Sequence, residues 1–266
     1  MKEANAIVVG GASGIGWATC RRLHARGTQV IVADVNADAA LLRAGELGAG
    51  ELGAGELGNR AVARHVDVRD EDSVERLFDE IASEFGDIGT VVDCAGLSVP
   101  GAITDLSLDG WRTTLDVCLT GAFLVVKHAG RRVVDGGSIT LIASLNGRQP
   151  GTGMAAYCSA KAGVLMLTEV AALELAPRRI RVNAISPGLV DTPLVAGVSL
   201  VSGLTEDYLE NTPLGRSGRP EEIAEVVAFL ASDAAAWMTG ANIDINGGAH
   251  TRRYPDLLAH LAAMAP

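Results

Sequence analysis

Short runs of β-branched and small apolar residues recur along the chain at 6–9, 30–33, 61–66, 90–92, 138–142 and 181–185, separated by longer stretches of helical character. Taken together, the runs carry apolar residues on consecutive positions rather than in strict alternation. That pattern belongs to strands covered on both faces, so it predicts a parallel sheet with helices on either side. The stretch 155–176 is rich in Ala, Leu and Glu and meets no proline before Pro177, which predicts one long helix. The expected fold class is α/β, a single doubly wound parallel sheet carried by one domain over residues 1–266.

One segment breaks this rhythm. Gly45-Glu46-Leu47-Gly48-Ala49 recurs twice more, through Asn59. A glycine weakens a helix by up to ~1 kcal/mol, so residues 45–59 are expected to form a loosely helical or looped surface insertion, too short in period for a solenoid.

Charge and cysteine usage narrow the function classes. The 22 basic and 32 acidic residues leave a net charge of −10, and the basic residues form no run beyond pairs such as Arg131-Arg132 and Arg252-Arg253. Nucleic acid is therefore not an expected partner. No uninterrupted apolar stretch approaches the ~20 residues that span a bilayer, and strand-like sequence begins almost at Met1, leaving no room for a signal peptide. A cytoplasmic protein without a membrane partner is expected. Cys20, Cys94, Cys118 and Cys158 stand singly and the histidines are scattered, which predicts neither a metal site nor a disulfide framework.

The first apolar run leads into Gly10-Gly11-Ala12-Ser13-Gly14-Ile15-Gly16 and then a helical stretch. Glycines there permit a tight turn and close backbone approach, and the helix N-terminus that follows attracts a pyrophosphate. Asp34 ends the second run, 18 residues after Gly16. A carboxylate at that place accepts hydrogen bonds from the adenosine ribose hydroxyls and repels the extra phosphate of NADP, while Ser13 and Val35 offer no cation for it. NAD is the expected cofactor.

Tyr157 and Lys161 form a Tyr-x-x-x-Lys step, and Ser144 lies 13 residues before the tyrosine. Residues four apart share a helix face, so phenol and ammonium should point into one cleft. A phenol titrating near pH 10 is a poor acid-base catalyst at neutrality, and an adjacent ammonium favours its ionised form. With the glycine loop, this step predicts a nicotinamide-dependent oxidoreductase.

Along nearly its whole length the chain resembles the short-chain dehydrogenase/reductase family. The matching segments are 10–16, Asp67-Val68, Cys94-Ala95-Gly96, Ser144, Tyr157 with Lys161, Pro187-Gly188 with Thr192, and Asn246-Gly247-Gly248. The resemblance implies a Rossmann-like sheet of seven strands, hydride exchange between nicotinamide and an alcohol or ketone, and a homotetramer built partly on helices around 111–130 and 155–176. It makes Tyr157 the general acid or base and Ser144 the hydrogen-bond donor to the substrate oxygen, and it gives Lys161 the nicotinamide ribose. The implied cofactor contacts run from Gly10, Ser13, Gly14, Ile15 and Gly16 through Asp34 and Val35. Asp67 and Val68 would flank the adenine, and Cys94, Ala95 and Gly96 would line the floor. Pro187, Gly188, Val190 and Thr192 would complete the site, the last two at the carboxamide.

Three departures accompany the resemblance. Val9 replaces the usual threonine before the loop, Asp93-Cys94 replaces a pair of asparagines, and Cys118 replaces the asparagine that supports a water relay to the lysine. They keep open a catalytically weakened dinucleotide-binding regulator. A 3-oxoacyl-acyl-carrier-protein reductase is the other alternative, but neither an NADPH site nor a basic docking surface is evident.

Residues 189–218 are rich in Leu and Val and interrupted by Gly197 and Gly203. They read either as a lid over an uncharged, partly hydrophobic alcohol or ketone, with Leu145, Asn146, Gln149 and Met154 lining the same pocket, or as apolar side chains packed on the core. The tail 249–266, with Leu257, Leu258, Leu261 and Met264 at helical intervals, is expected to dock on a neighbouring subunit or to fray.

Overall fold

The computed structural model describes residues 4–48 and 61–264. Strands β1 (Asn5–Val9), β2 (Val30–Asp34), β3 (Val62–His65), β4 (Ile88–Asp93), β5 (Val133–Ile142), β6 (Arg181–Pro187) and β7 (Asn242–Ile245) pair in parallel as one 7-stranded sheet of order β3-β2-β1-β4-β5-β6-β7. All six apolar runs are strands. The seventh, Asn242-Ile243-Asp244-Ile245, is a half-buried edge strand whose alternating pattern stands apart from the solid apolar runs.

The two sides of each strand feed two cores. Ile7 and Val9 of β1 pack toward α3 (Glu71–Phe85), α5 (Gly121–Arg132) and α6 (Ala155–Leu175), through side chains such as Phe78, Val125 and Val164. Ala6 and Val8 face the other way, onto α1 (Gly14–His24), α2 (Ala37–Gly48) and α8 (Pro220–Leu230), through Cys20, Ala40 and Ile223. Alternate side chains of a strand point to opposite faces, so a run buried on both favours apolar residues at successive positions. Three shorter helices, α4 (Leu108–Leu115), α7 (Leu204–Glu210) and α9 (Leu257–Met264), lie outside these layers.

Local sequence sets the element ends. The Asp70 carboxylate accepts the amide hydrogen of Asp72 at the start of α3, and Ser107 Oγ accepts that of Gly110 at the start of α4. Pro177 lies in the 3₁₀ turn Ala176–Arg178 that closes α6. With that turn, the helix spans Ala155–Arg178 and is long and apolar enough, by length and composition alone, to cross a membrane. Lys161, Glu169 and Glu174 interrupt its apolar run, and Val164, Thr168 and Ala171 are buried along one side of it. Of the glycine-rich repeat, residues 45–48 close α2, and the rest lies outside the described residues.

The strand order reverses its direction of growth between β1 and β4, which opens a crevice beyond their C-terminal ends. Gly10 enters it with φ +70, and a Cβ there would stand 2.9 Å from both the Ala95 nitrogen and the Cys94 carbonyl carbon. At Gly16, in the first turn of α1, a Cβ would come within 2.0 Å of the Gly10 oxygen. Both positions therefore require glycine for backbone-to-backbone packing. Gly16→Ala is expected to lower stability by roughly 1–3 kcal/mol and to weaken dinucleotide binding, measured by thermal unfolding and by titration with NAD. A variant with parental melting temperature and affinity would contradict this account of the loop.

Candidate active site

Ser144, Tyr157 and Lys161 meet at the mouth of this crevice. Ser144 follows β5 and begins the 3₁₀ turn Leu145–Gly147, where its Oγ accepts the Asn146 amide hydrogen at 3.1 Å. With that lone pair occupied, the hydroxyl proton is available to a substrate oxygen. Tyr157 and Lys161 lie one turn apart at the start of α6, and the lysine Nζ is 5.6 Å from the tyrosine ring centroid. The two groups share a face, as the spacing predicts.

Lys161 is 4% exposed, and its Nζ donates to the Ile142 carbonyl at 2.7 Å. Burial works against its charge. Interactions with Tyr157, Cys118, Asp93 and Cys94 outweigh that cost and hold its pKa above the ordinary lysine value. Three of these partners, Asp93, Cys94 and Cys118, are departures from the family pattern. Asp93 is buried at the end of β4, and desolvation pushes its carboxyl up to about 6 even though the Ala95 amide and Lys161 favour the anion. Burial and the neighbouring Asp93 also raise Cys94 well above the usual thiol range, so the thiol stays protonated.

Cys118 lies in a π-helical turn, Asp116–Thr120, between α4 and α5. Its thiol donates to the Leu97 carbonyl at 3.2 Å and accepts the Leu97 amide at 3.4 Å. The sulfur thereby ties the loop segment beyond Gly96 to the turn. Val9 is fully buried among core side chains, where a methyl fits as well as a hydroxyl.

A cavity of about 150 Å³ is lined by Gly10, Ser13, Gly14, Ile15 and Gly16 on one side and by Cys94, Ala95 and Gly96 on its floor. Ser144, Tyr157, Lys161, Pro187, Gly188, Val190 and Thr192 close it. Sequence reading missed Ile142 and Ala143 at the end of β5, and it gave Pro193, Leu194 and Val195 to the substrate lid alone, whereas they line this cavity as well. Asp34, Val35, Asp67 and Val68 stand outside that lining. Asp34 ends β2 and accepts the Ala12 amide at 3.0 Å, so it borders the glycine loop, while Val35 is exposed. Asp67 is engaged by Arg69 at 2.7 Å, and Val68 is buried against the Gly121 backbone. The glycine cradle, which no side chain could fill, and the carboxylate at its rim fit a dinucleotide.

A second cavity of about 370 Å³ shares Ser144, Tyr157, Gly188 and Leu194 with the first. Leu189, Val195, Val198, Val201, Leu204 and Tyr208 roof it, opposite Leu145, Asn146, Gln149 and Met154, as the lid reading predicts. Leu200 instead points outward. The tail is a correction: it docks on its own chain. Tyr254 Oη and Tyr208 Oη lie 2.7 Å apart, Asp256 accepts from Thr152 at 2.6 Å, and Leu257 and Leu258 pack at Gly153. Tyr254, Leu257 and Leu261 therefore line the cavity too. Among the described residues no cluster of potential metal ligands occurs.

Together the fold and the site define a dinucleotide-dependent oxidoreductase. A family model described as Enoyl-(Acyl carrier protein) reductase matches residues 10–250. The chain is 41% identical over 251 residues to cis-4-hydroxycyclohexanecarboxylate dehydrogenase of Sinomonas cyclohexanicum, covering 92% of this chain and 96% of that protein. It is 35% identical to meso-2,3-butanediol dehydrogenase of Serratia marcescens, covering 91% and 93%. A solved short-chain type dehydrogenase/reductase from Mycobacterium ulcerans superposes with a TM-score of 0.93 at 37% identity, covering 99% of this chain and 96% of its own. The chain belongs to the short-chain dehydrogenase/reductase family, and it is an oxidoreductase acting on the alcohol/ketone pair.

Asp93 makes this site sensitive to pH. A carboxyl whose folded pKa of about 6 exceeds its unfolded 3.8 takes up a proton on folding between those values, so its contribution to stability falls as pH rises from about 4 to 6. Asp93→Asn removes that dependence. It is expected to unfold later than the parent at pH 7 by roughly 1–3 kcal/mol, with the gap closing by about pH 4 in parallel denaturant titrations. A gap that is constant with pH would contradict the buried-carboxylate assignment.

Proposed function

We propose that the protein is an NAD-dependent dehydrogenase of secondary alcohols built on a compact, ring-sized apolar frame. The observation that carries the cofactor preference is Asp34. Its Oδ2 accepts from Ala12 and its Oδ1 from Asn36, each at 3.0 Å, so the carboxylate is fixed at the rim of the glycine loop with lone pairs left for ribose hydroxyls. A phosphate at that place would face this anion. The nearby Arg43 donates from Nε to the Ala12 carbonyl at 3.3 Å, lies over Trp17 at 5.0 Å and pairs its charge with Glu46 at 2.8 Å.

Bound nicotinamide supplies the hydride acceptor. Ser144 Oγ donates to the substrate oxygen and fixes its position. Tyr157 Oη takes the hydroxyl proton in oxidation and returns it in reduction, with the buried Lys161 ammonium beside its ring. The apolar walls exclude water from the reacting carbon. The relative that acts on a hydroxycyclohexane supports an alicyclic substrate. A net charge of −10 offers little to the acidic partner that a carrier-protein reductase must dock.

Phe123 on α5 and Met166, Val170 and Leu173 on α6 are exposed apolar residues on the single chain. They support the homotetramer that the family resemblance implies. All four cysteines are unpaired, which supports a reducing, cytoplasmic setting.

The test is hydride transfer to NAD and NADP, followed at the reduced-nicotinamide absorbance band with substituted cyclohexanols and open-chain diols. NAD is expected to be preferred at least tenfold, and Tyr157→Phe is expected to lower turnover by ~10² to 10⁴ with little change in NAD affinity. Preference for NADP would overturn the cofactor assignment, and parental turnover in the tyrosine variant would overturn the mechanism.

A further inference from the structure

The larger cavity has one charged side chain among its described lining residues, Arg253 from the tail. The lid composition alone predicts an uncharged substrate, and the tail changes that. Arg253 is fixed by Asp207 of α7, with Nη2 at 2.5 Å from Oδ1 and Nη1 at 3.3 Å from Oδ2. Asp207 is itself buried and also takes Asn211 Nδ2 at 2.9 Å and His260 Nε2 at 3.1 Å. The carboxylate is thus saturated, and its role is to hold the guanidinium.

A guanidinium carries five N–H donors in a rigid fork, of which this pairing uses one on each Nη. The remaining donors, including Nε–H, have no partner in Asp207. The Arg253 side chain is exposed at the chamber wall, so an anion entering the chamber can reach these donors without burying the cation first. Glu210 and Asp256 act on Arg253 from outside the cavity lining, where solvent screens them. Among the described residues that line the chamber, Arg253 is the only one that can select by charge.

We propose that Arg253 is the carboxylate anchor of the substrate site, so that the preferred substrate is a hydroxy acid whose hydroxyl reaches Ser144 and Tyr157 and whose carboxylate, across an apolar ring or short chain, meets the guanidinium. The inference rests on the dehydrogenase reading above and narrows its substrate class. Arg–carboxylate pairs are frequently bidentate, which fixes orientation as well as affinity. Asp207 is a positioning residue for this anchor. The two named relatives differ on this point, one acting on a ring acid and the other on an uncharged diol, and Arg253 sides with the acid.

The test compares cis-4-hydroxycyclohexanecarboxylate with its carboxamide, which keeps the shape and loses the charge, in the parent, Arg253→Met and Arg253→Lys. In the parent, kcat/KM for the acid is expected to exceed that for the amide by about 10- to 100-fold. In Arg253→Met the ratio falls to near one, chiefly through a higher KM for the acid, and Arg253→Lys restores part of it. Calorimetric binding of cyclohexanecarboxylate to the NAD complex should weaken in the same order. An acid-to-amide ratio near one in the parent, or a ratio unchanged in a folded Arg253→Met protein, would overturn the anchor while leaving the dehydrogenase reading intact. Failure to oxidise either compound or any uncharged cyclohexanol would overturn both.

Discussion

A buried ammonium is the constraint from which the active site follows. Removing a cation from water costs several kcal/mol unless acceptors and opposite charge surround it, and Lys161 is almost wholly enclosed. The Ile142 carbonyl meets that demand at the end of β5, which fixes the start of α6 against the sheet. Tyr157, one turn earlier, then has no choice of direction: it shares the face of the lysine and opens on both cavities. Ser144, two residues beyond Ile142, falls on the same rim. One hydrogen bond thus sets the relation between strand, helix and catalytic hydroxyls.

The same ammonium gives the chain's departures from its family a common setting. Asp93 and Cys94 lie close enough to act on its charge, and the Cys118 sulfur lies alongside. An aspartate at the cofactor floor brings an extra negative charge into low dielectric, and its raised pKa records the cost. Cys118 keeps a hydrogen-bonding role by a different route, bonding the Leu97 backbone in both directions. None of these changes displaces Ser144, Tyr157 or Lys161 from the shared rim.

Much of this was legible in the sequence because it depends on short-range pattern. Doubly covered strands favour apolar residues at successive positions, so β1 and β2 stand out as nearly solid runs, whereas the half-buried edge strand β7 carries Asn242 and Asp244 and hides among polar residues. The Tyr157–Lys161 spacing and the glycine loop encode local geometry directly. The substrate chamber was only half legible. Its lid announces itself by composition, but its far wall comes from residues 253–261, which chain composition describes only as a tail. No local signal says that Arg253 reaches Asp207, 46 residues earlier, or that Tyr254 stacks edge-on against Tyr208. The inward fold of that tail is a tertiary event, and with it comes Arg253, the single charged residue among the described residues that line the chamber.

The central claim is that proton transfer at Tyr157 depends on the buried Lys161 ammonium beside it, and alcohol oxidation by Lys161→Met against the parent tests it most directly. With the ammonium gone, kcat should fall by ~10² or more in a variant that still folds. A folded variant that keeps parental turnover would show that proton transfer at the tyrosine does not depend on the lysine, and would contradict the account.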